Sequence, residues 1–80
     1  MTREELAAEI QNMARQAFGK SDLVLTDALN ATDVDTWTSL SFMNLLTAIE
    51  NRYGFRFKMM ELLRLQNMGA VIDVTMTHMG

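Results

Sequence analysis

Phe42, Leu45, Leu46, Ile49 and Tyr53 recur at three- and four-residue intervals and stop at Gly54. That spacing lines one side of an α-helix and neither side of a strand, so this segment is a helix with a single apolar stripe that other helices must cover. It is predicted to start at Ser39 or Leu40 and to end at Gly54, a residue free to adopt the left-handed conformation that closes helices. Two further segments can supply the cover. Thr2 and Glu5 have the Thr-x-x-Glu spacing of a capping box, and Leu6, Ile10, Met13, Ala17 and Phe18 then follow on one face. This predicts a first helix over 3–18, ended by Gly19. Asn67 is a good N-cap for a last helix, in which Met68, Val71, Ile72, Thr75 and Met79 share a side.

The intervening chain is less regular. Lys20 to Thr38 shows little periodicity and reads as a long loop, but Leu23, Val24, Leu25, Leu29, Val34 and Trp37 run through it. So many apolar residues predict a loop that packs back over the bundle, with a short helical turn near 26–29. Phe55 and Phe57 flank Arg56 in a connector too short for a sheet, and Met59 to Leu65 is predicted as a short helix. The expected fold is therefore all-α, a small four-helix bundle with three longer helices, one short one and a long first loop. A chain of 80 residues has material for one core, so residues 1–80 are expected to form a single domain.

Several function classes are disfavoured. A net charge of −3 provides no basic footprint for nucleic acid or for an anionic membrane surface. The chain has no cysteine, hence no disulfide and no thiolate of its own, and no His/Asp/Glu constellation suggests a metal. No apolar run approaches the ~20 residues that span a bilayer. Met1-Thr2-Arg3-Glu4-Glu5 is acidic where an export signal is basic, so a cytoplasmic location is expected. Ser39 stands where loop meets helix, yet a catalytic serine needs a positioned base. The lone histidine, His78, lies near the C-terminus, where fraying is expected. Ser39 reads as a substrate of another protein, at a helix end whose unpaired N–H groups and positive dipole favour an anion.

The run Trp37-Thr38-Ser39-Leu40-Ser41-Phe42-Met43-Asn44-Leu45-Leu46-Thr47-Ala48-Ile49-Glu50 resembles the prosthetic-group motif of acyl carrier proteins, in which Asp-Ser-Leu opens the second helix and an Ile/Leu-Glu pair closes its stripe. Asn51-Arg52-Tyr53-Gly54-Phe55-Arg56-Phe57 is similar to the family's passage out of that helix, and the likeness covers roughly residues 5 to 76. The resemblance implies phosphopantetheine attached to Ser39, flanked by Trp37, Thr38 and Leu40. A phosphopantetheinyl transferase would attach it from coenzyme A. The imported thiol would then carry acyl groups as thioesters between acyl-loading and acyl-processing enzymes of fatty acid, lipid or polyketide-type biosynthesis. The chain would be a carrier and not an enzyme.

One departure stands out: Thr38 replaces the family's aspartate, so slower or more selective modification is expected. Trp37 reads as a plug for the core before it reads as a contact for the arm. The resemblance places the partner face on Leu40, Met43, Asn44, Thr47 and Glu50. Glu50 is its only acid and Arg52 lies close by, so weak steering toward basic partners and a shallow salt dependence are expected. Phe42, Leu46, Met59, Leu62, Leu63 and Met68 are candidates for an acyl cleft, although a methionine-rich set at this spacing also describes an ordinary core. A related carrier of amino acids or aryl acids, or a helical adaptor without the modification, would share much of this pattern. A monomer is expected because no spare apolar stripe is evident.

Overall fold

A computed structural model of the chain describes residues 1–79. It contains α1 (Arg3–Phe18), α2 (Ser39–Tyr53), α3 (Met59–Leu62) and α4 (Met68–Met79), with no strand among the described residues. The all-α class and element order expected from the sequence are those observed. The capping box forms as spaced: Thr2 Oγ1 accepts from Glu5 N–H at 3.1 Å, and Glu5 Oε1 accepts from Thr2 N–H at 2.8 Å. Gly19 and Gly54 close α1 and α2 at φ 65° and 72°. A side chain at those angles would bring Cβ against the neighbouring carbonyl.

α1 packs against both α2 and α4. Its buried row is Leu6, Ile10, Ala14 and Phe18, a straight four-residue repeat, while Met13 and Ala17 are only half-buried at its edge. Facing it are Leu45, Leu46 and Ile49 of α2 and Met68, Val71, Ile72 and Thr75 of α4. Each fully buried aliphatic side chain contributes about 1.5–3 kcal/mol of transfer free energy, so this three-helix seam is the main stabilising element. Among the described residues Thr75 is the only buried polar one, and its hydroxyl donates to Val71 O at 2.7 Å, which removes the cost of its burial.

The long loop packs back as expected. Leu23 and Val34 are buried, and Leu25, Leu29 and Trp37 are half-buried, but Val24 is exposed. The expected helical turn at 26–29 is a single turn closed by Leu29 N–H to Thr26 O at 3.2 Å. This turn docks on the start of α4. Met68 N–H donates to Leu29 O and Gly69 N–H to Asp27 O, both at 2.9 Å, while Asn67 Oδ1 accepts from Ala70 N–H at 2.8 Å. The first-turn donors of α4 are thus met partly by the loop and partly by the expected cap. Arg3 ties the same corner together, reaching Asp73 at 2.8 Å and Asp27 at 3.1 Å.

Three expectations are corrected. The short helix ends at Leu62 instead of Leu65, because Leu65 turns into the core and Asn67 must reach the start of α4. Met79 lies at an open end of α4, 37% exposed, and does not extend the buried stripe. His78 does not fray: its ring stacks on Phe55 at 4.3 Å, and Nε2 lies 2.9 Å from both carboxylate oxygens of Glu61.

The far end of α2 carries a second polar anchor. The Tyr53 hydroxyl donates to Glu9 Oε1, which also accepts from Arg52 Nε at 3.1 Å. Burial first, and then this bond to Glu9, push the phenol pKa up from 10.0 to about 12. The folded chain thus holds the phenol proton more tightly than the unfolded chain. The resulting stabilisation is complete below pH 10 and is lost as pH rises through about 12. Tyr53 is the only tyrosine, so its phenolate absorbance reports this group alone. The expected midpoint is near 12 in the native protein and lower in Glu9→Gln. A native midpoint at the ordinary value would refute the contact.

Candidate functional site

Three hydroxyl side chains cluster where the loop enters α2, and the structure gives each a different position. Thr38 is the N-cap, with extended backbone at φ −108° and ψ 173°. Its Oγ1 accepts from Ser41 N–H at 3.1 Å, and Ser41 Oγ accepts from Thr38 N–H at 2.8 Å. This is a capping box with serine in the place usually taken by glutamate. The Ser41 hydroxyl also donates to Thr36 O at 2.7 Å. Both hydroxyls are therefore committed to folding.

Ser39, the first residue of α2, is not the cap. It is exposed, and its hydroxyl has no hydrogen-bond partner among the described residues. The backbone N–H groups of Ser39 and Leu40 likewise have no acceptor there, since the capping hydroxyl serves Ser41 and the first helical carbonyl bond serves Phe42 N–H from Thr38 O at 2.9 Å. An unengaged hydroxyl thus stands beside two free amide donors at the positive end of a 15-residue helix. The arrangement fits a phosphodiester on Ser39 Oγ: nothing must be broken to esterify it, and donors for the phosphate oxygens are adjacent.

Trp37 fixes where this junction sits. Its ring lies between Phe18 and Phe42, with both centroid separations 5.1 Å and interplanar angles of 19° and 25°. This stack joins the end of α1 to the first turn of α2 across the long loop, and so positions Thr38 and Ser39. Trp37 is the expected plug. The stack itself was not legible in the sequence, because Phe18 is 19 positions from Trp37. The Thr38/Ser41 box could have been found from its Thr-x-x-Ser spacing.

Leu40, Met43, Asn44 and Thr47 all reach solvent, with Leu40 73% and Met43 51% exposed. Glu50 does not join them as an open charge. It is half-buried, and Oε2 accepts from Phe57 N–H at 2.7 Å, clamping the connector after Gly54 to α2. The acyl-cleft candidates also separate. Leu46 and Met68 are core residues, Leu62 is half-buried, and Phe42 is half-buried against Trp37. Met59 and Leu63 face solvent at 78% and 70% exposure, so they line no interior cleft. Leu63 falls in the turn after α3, which ends at Leu62, whereas Met59 is exposed at the start of that helix.

No protein-family model and no curated relative matches the chain. Among solved structures, the chain is similar to the solution NMR structure of a holo acyl carrier protein from Geobacter metallireducens, with a TM-score of 0.84 and 35% sequence identity. The match covers 90% of this chain and 83% of the other.

Proposed function

Given that the chain belongs to the acyl carrier protein family, we propose that Ser39 is its point of attachment for phosphopantetheine, and that the loaded protein carries acyl intermediates as thioesters between partner enzymes of fatty acid, lipid or polyketide-type biosynthesis. One observation carries this reading. Of the three hydroxyls at the loop-helix junction, Ser39 alone is exposed and without a partner among the described residues, which also leave the N–H groups of Ser39 and Leu40 free. When bound, the prosthetic group would supply the thiol that a cysteine-free chain lacks. The chain's own contribution is presentation. Trp37 anchors the junction, Thr38 and Ser41 hold the first turn rigid, and the amide donors favour the phosphate charge. Leu40, Met43, Asn44 and Thr47 are the surface on which a phosphopantetheinyl transferase or acyl-handling enzyme would rest.

Intact mass tests the proposal. Co-expression with a phosphopantetheinyl transferase is expected to add one phosphopantetheine, mapped by peptide fragmentation to Ser39. Protein that stays unmodified while binding partners tightly would instead support a helical adaptor.

Thr38 bears on the rate. Threonine and aspartate both cap well, so Thr38→Asp keeps the first turn and adds a negative charge beside the serine. The variant is expected to accept the prosthetic group faster than the natural chain from a broad-specificity transferase. Equal rates in a time course of holo-protein formation would show that the missing charge has no effect.

A further inference from the structure

The net charge of −3 conceals a separation of charge along the fold. Residues 39–66 hold four of the seven basic side chains, Arg52, Arg56, Lys58 and Arg64, but only two of the ten acidic ones, Glu50 and Glu61. Both acids in this segment are engaged internally. Glu50 is bonded to Phe57 N–H, and Glu61 accepts from Lys58 N–H at 2.7 Å while holding His78. Those contacts, led by the Lys58 amide, also keep the Glu61 carboxyl below the usual range. Arg52 is paired with Glu9. Arg56, Lys58 and Arg64 are exposed, and among the described residues they form no salt bridge and no side-chain hydrogen bond. The free charge around α3 is therefore positive.

Between these cations lie Met59, Met60 and Leu63, at 78%, 69% and 70% exposure. Three large apolar side chains left this open within five residues are unusual in a stable surface, and they form a patch that the search of the sequence for a spare apolar stripe did not reveal. Two are methionines, which adapt their shape to a binding surface. The composition is that of an interface, an apolar centre with a charged rim of one sign.

We propose that the 56–64 segment docks onto a protein surface of opposite character, an apolar groove rimmed by carboxylates, so that partner recognition by this carrier is driven by its own positive charge. This rests on the carrier reading, whose partner enzymes would supply the groove. It replaces the shallow salt dependence expected from α2 alone, which set Arg52 against Glu50 although both are committed elsewhere. A membrane is the weaker fit. Three cations are few for an anionic bilayer, and the remaining charge of the chain is −5 outside residues 39–66 against +2 within them.

The test uses the unmodified full chain and two synthetic amphipathic helical peptides, each with a leucine face, one flanked by glutamates and the other by lysines. Backbone amide shifts are followed on titration. The glutamate peptide is expected to shift residues 56–64, and the lysine peptide is not. Raising salt, or the triple change Arg56→Glu, Lys58→Glu, Arg64→Glu, is expected to weaken the glutamate peptide about tenfold, the scale of three exposed ion pairs. A triple variant that melts as the natural chain does confirms that the loss is local; if it unfolds, the salt series and the lysine peptide decide alone. The proposal is overturned if the lysine peptide binds this segment equally well, or if the glutamate peptide binds elsewhere. It is also overturned if vesicles of phosphatidylglycerol and phosphatidylcholine shift the segment more strongly than the glutamate peptide, or if concentrating the chain by itself shifts it, which indicates a second copy. None of these results touches the mass of Ser39-modified protein, so the two readings fail separately.

Discussion

Ser39→Ala is expected to abolish attachment of the prosthetic group completely while leaving the fold intact. The expectation of a whole effect on modification and almost none on stability follows from how the junction divides its hydroxyls. Ser39 Oγ bonds to nothing among the described residues, so its removal leaves no partner unsatisfied. Alanine is also at least as good a helix former as serine. The change in stability is therefore expected to lie within about 0.5 kcal/mol, the range of an ordinary surface substitution. Thr38→Ala supplies the contrast one residue earlier. It removes the acceptor for Ser41 N–H and is expected to cost about 1 kcal/mol. Intact mass after co-expression with a transferase and thermal melts of both variants check the pair. A Ser39→Ala protein that still gained the prosthetic mass would end the assignment, and one that failed to fold would mean that Ser39 is structural.

Gly69→Ala is the change expected to damage the fold most for its size. Alanine normally stabilises a helix over glycine by about 1 kcal/mol, so propensity alone predicts a gain. Tertiary structure reverses the sign. A Cβ at Gly69 would lie 2.9 Å from Asp27 Cβ, 3.0 Å from Asp27 O and 3.2 Å from Asp27 Cα. Two of these atoms are backbone, and the loop cannot retreat without breaking the bonds from Gly69 N–H to Asp27 O and from Met68 N–H to Leu29 O. Overpacking of this kind costs about 1–3 kcal/mol, which outweighs the propensity gain. For a domain of this size each net kcal/mol lowers the melting temperature by about 4–8 °C. The expected result is a lower melting temperature, with faster amide exchange in the turn at 26–29 and in the first turn of α4. Gly69→Val, larger and poorer in helix propensity, should fall further. A rise in melting temperature for Gly69→Ala would show that the loop does not sit on α4. Modification at Ser39 is expected to survive, because its presentation depends on the Trp37 stack and the Thr38 cap.

The helices were legible because their signals are local. A capping box spans four residues, a glycine stop acts on its own turn, and a stripe such as Leu45, Leu46 and Ile49 repeats within a few positions. Each is written within a few neighbouring residues, even though packing in the three-helix seam is what makes the helices stable. The same locality allowed Ser39 to be singled out as a helix-start hydroxyl. The Thr-x-x-Ser spacing already pairs Thr38 with Ser41, but it does not give the further bond that commits the Ser41 hydroxyl and leaves Ser39 as the unbonded one among the described residues. That bond is the one from the Ser41 hydroxyl to Thr36 O.

Everything that depends on residues far apart in the chain was decided by the tertiary structure. The Phe18, Trp37 and Phe42 stack, the Arg3 link to Asp27 and Asp73, the Tyr53 bond to Glu9 and the approach of Asp27 to Gly69 all join segments that no periodicity pairs. The same holds for α3, which ends at Leu62 where Leu65 turns into the core, and whose neighbourhood leaves Met59, Met60 and Leu63 exposed. Helix formation is a property of neighbours along the chain. Which surfaces meet, and which side chains are left over for solvent or for another protein, is settled only when the loops bring distant neighbours together.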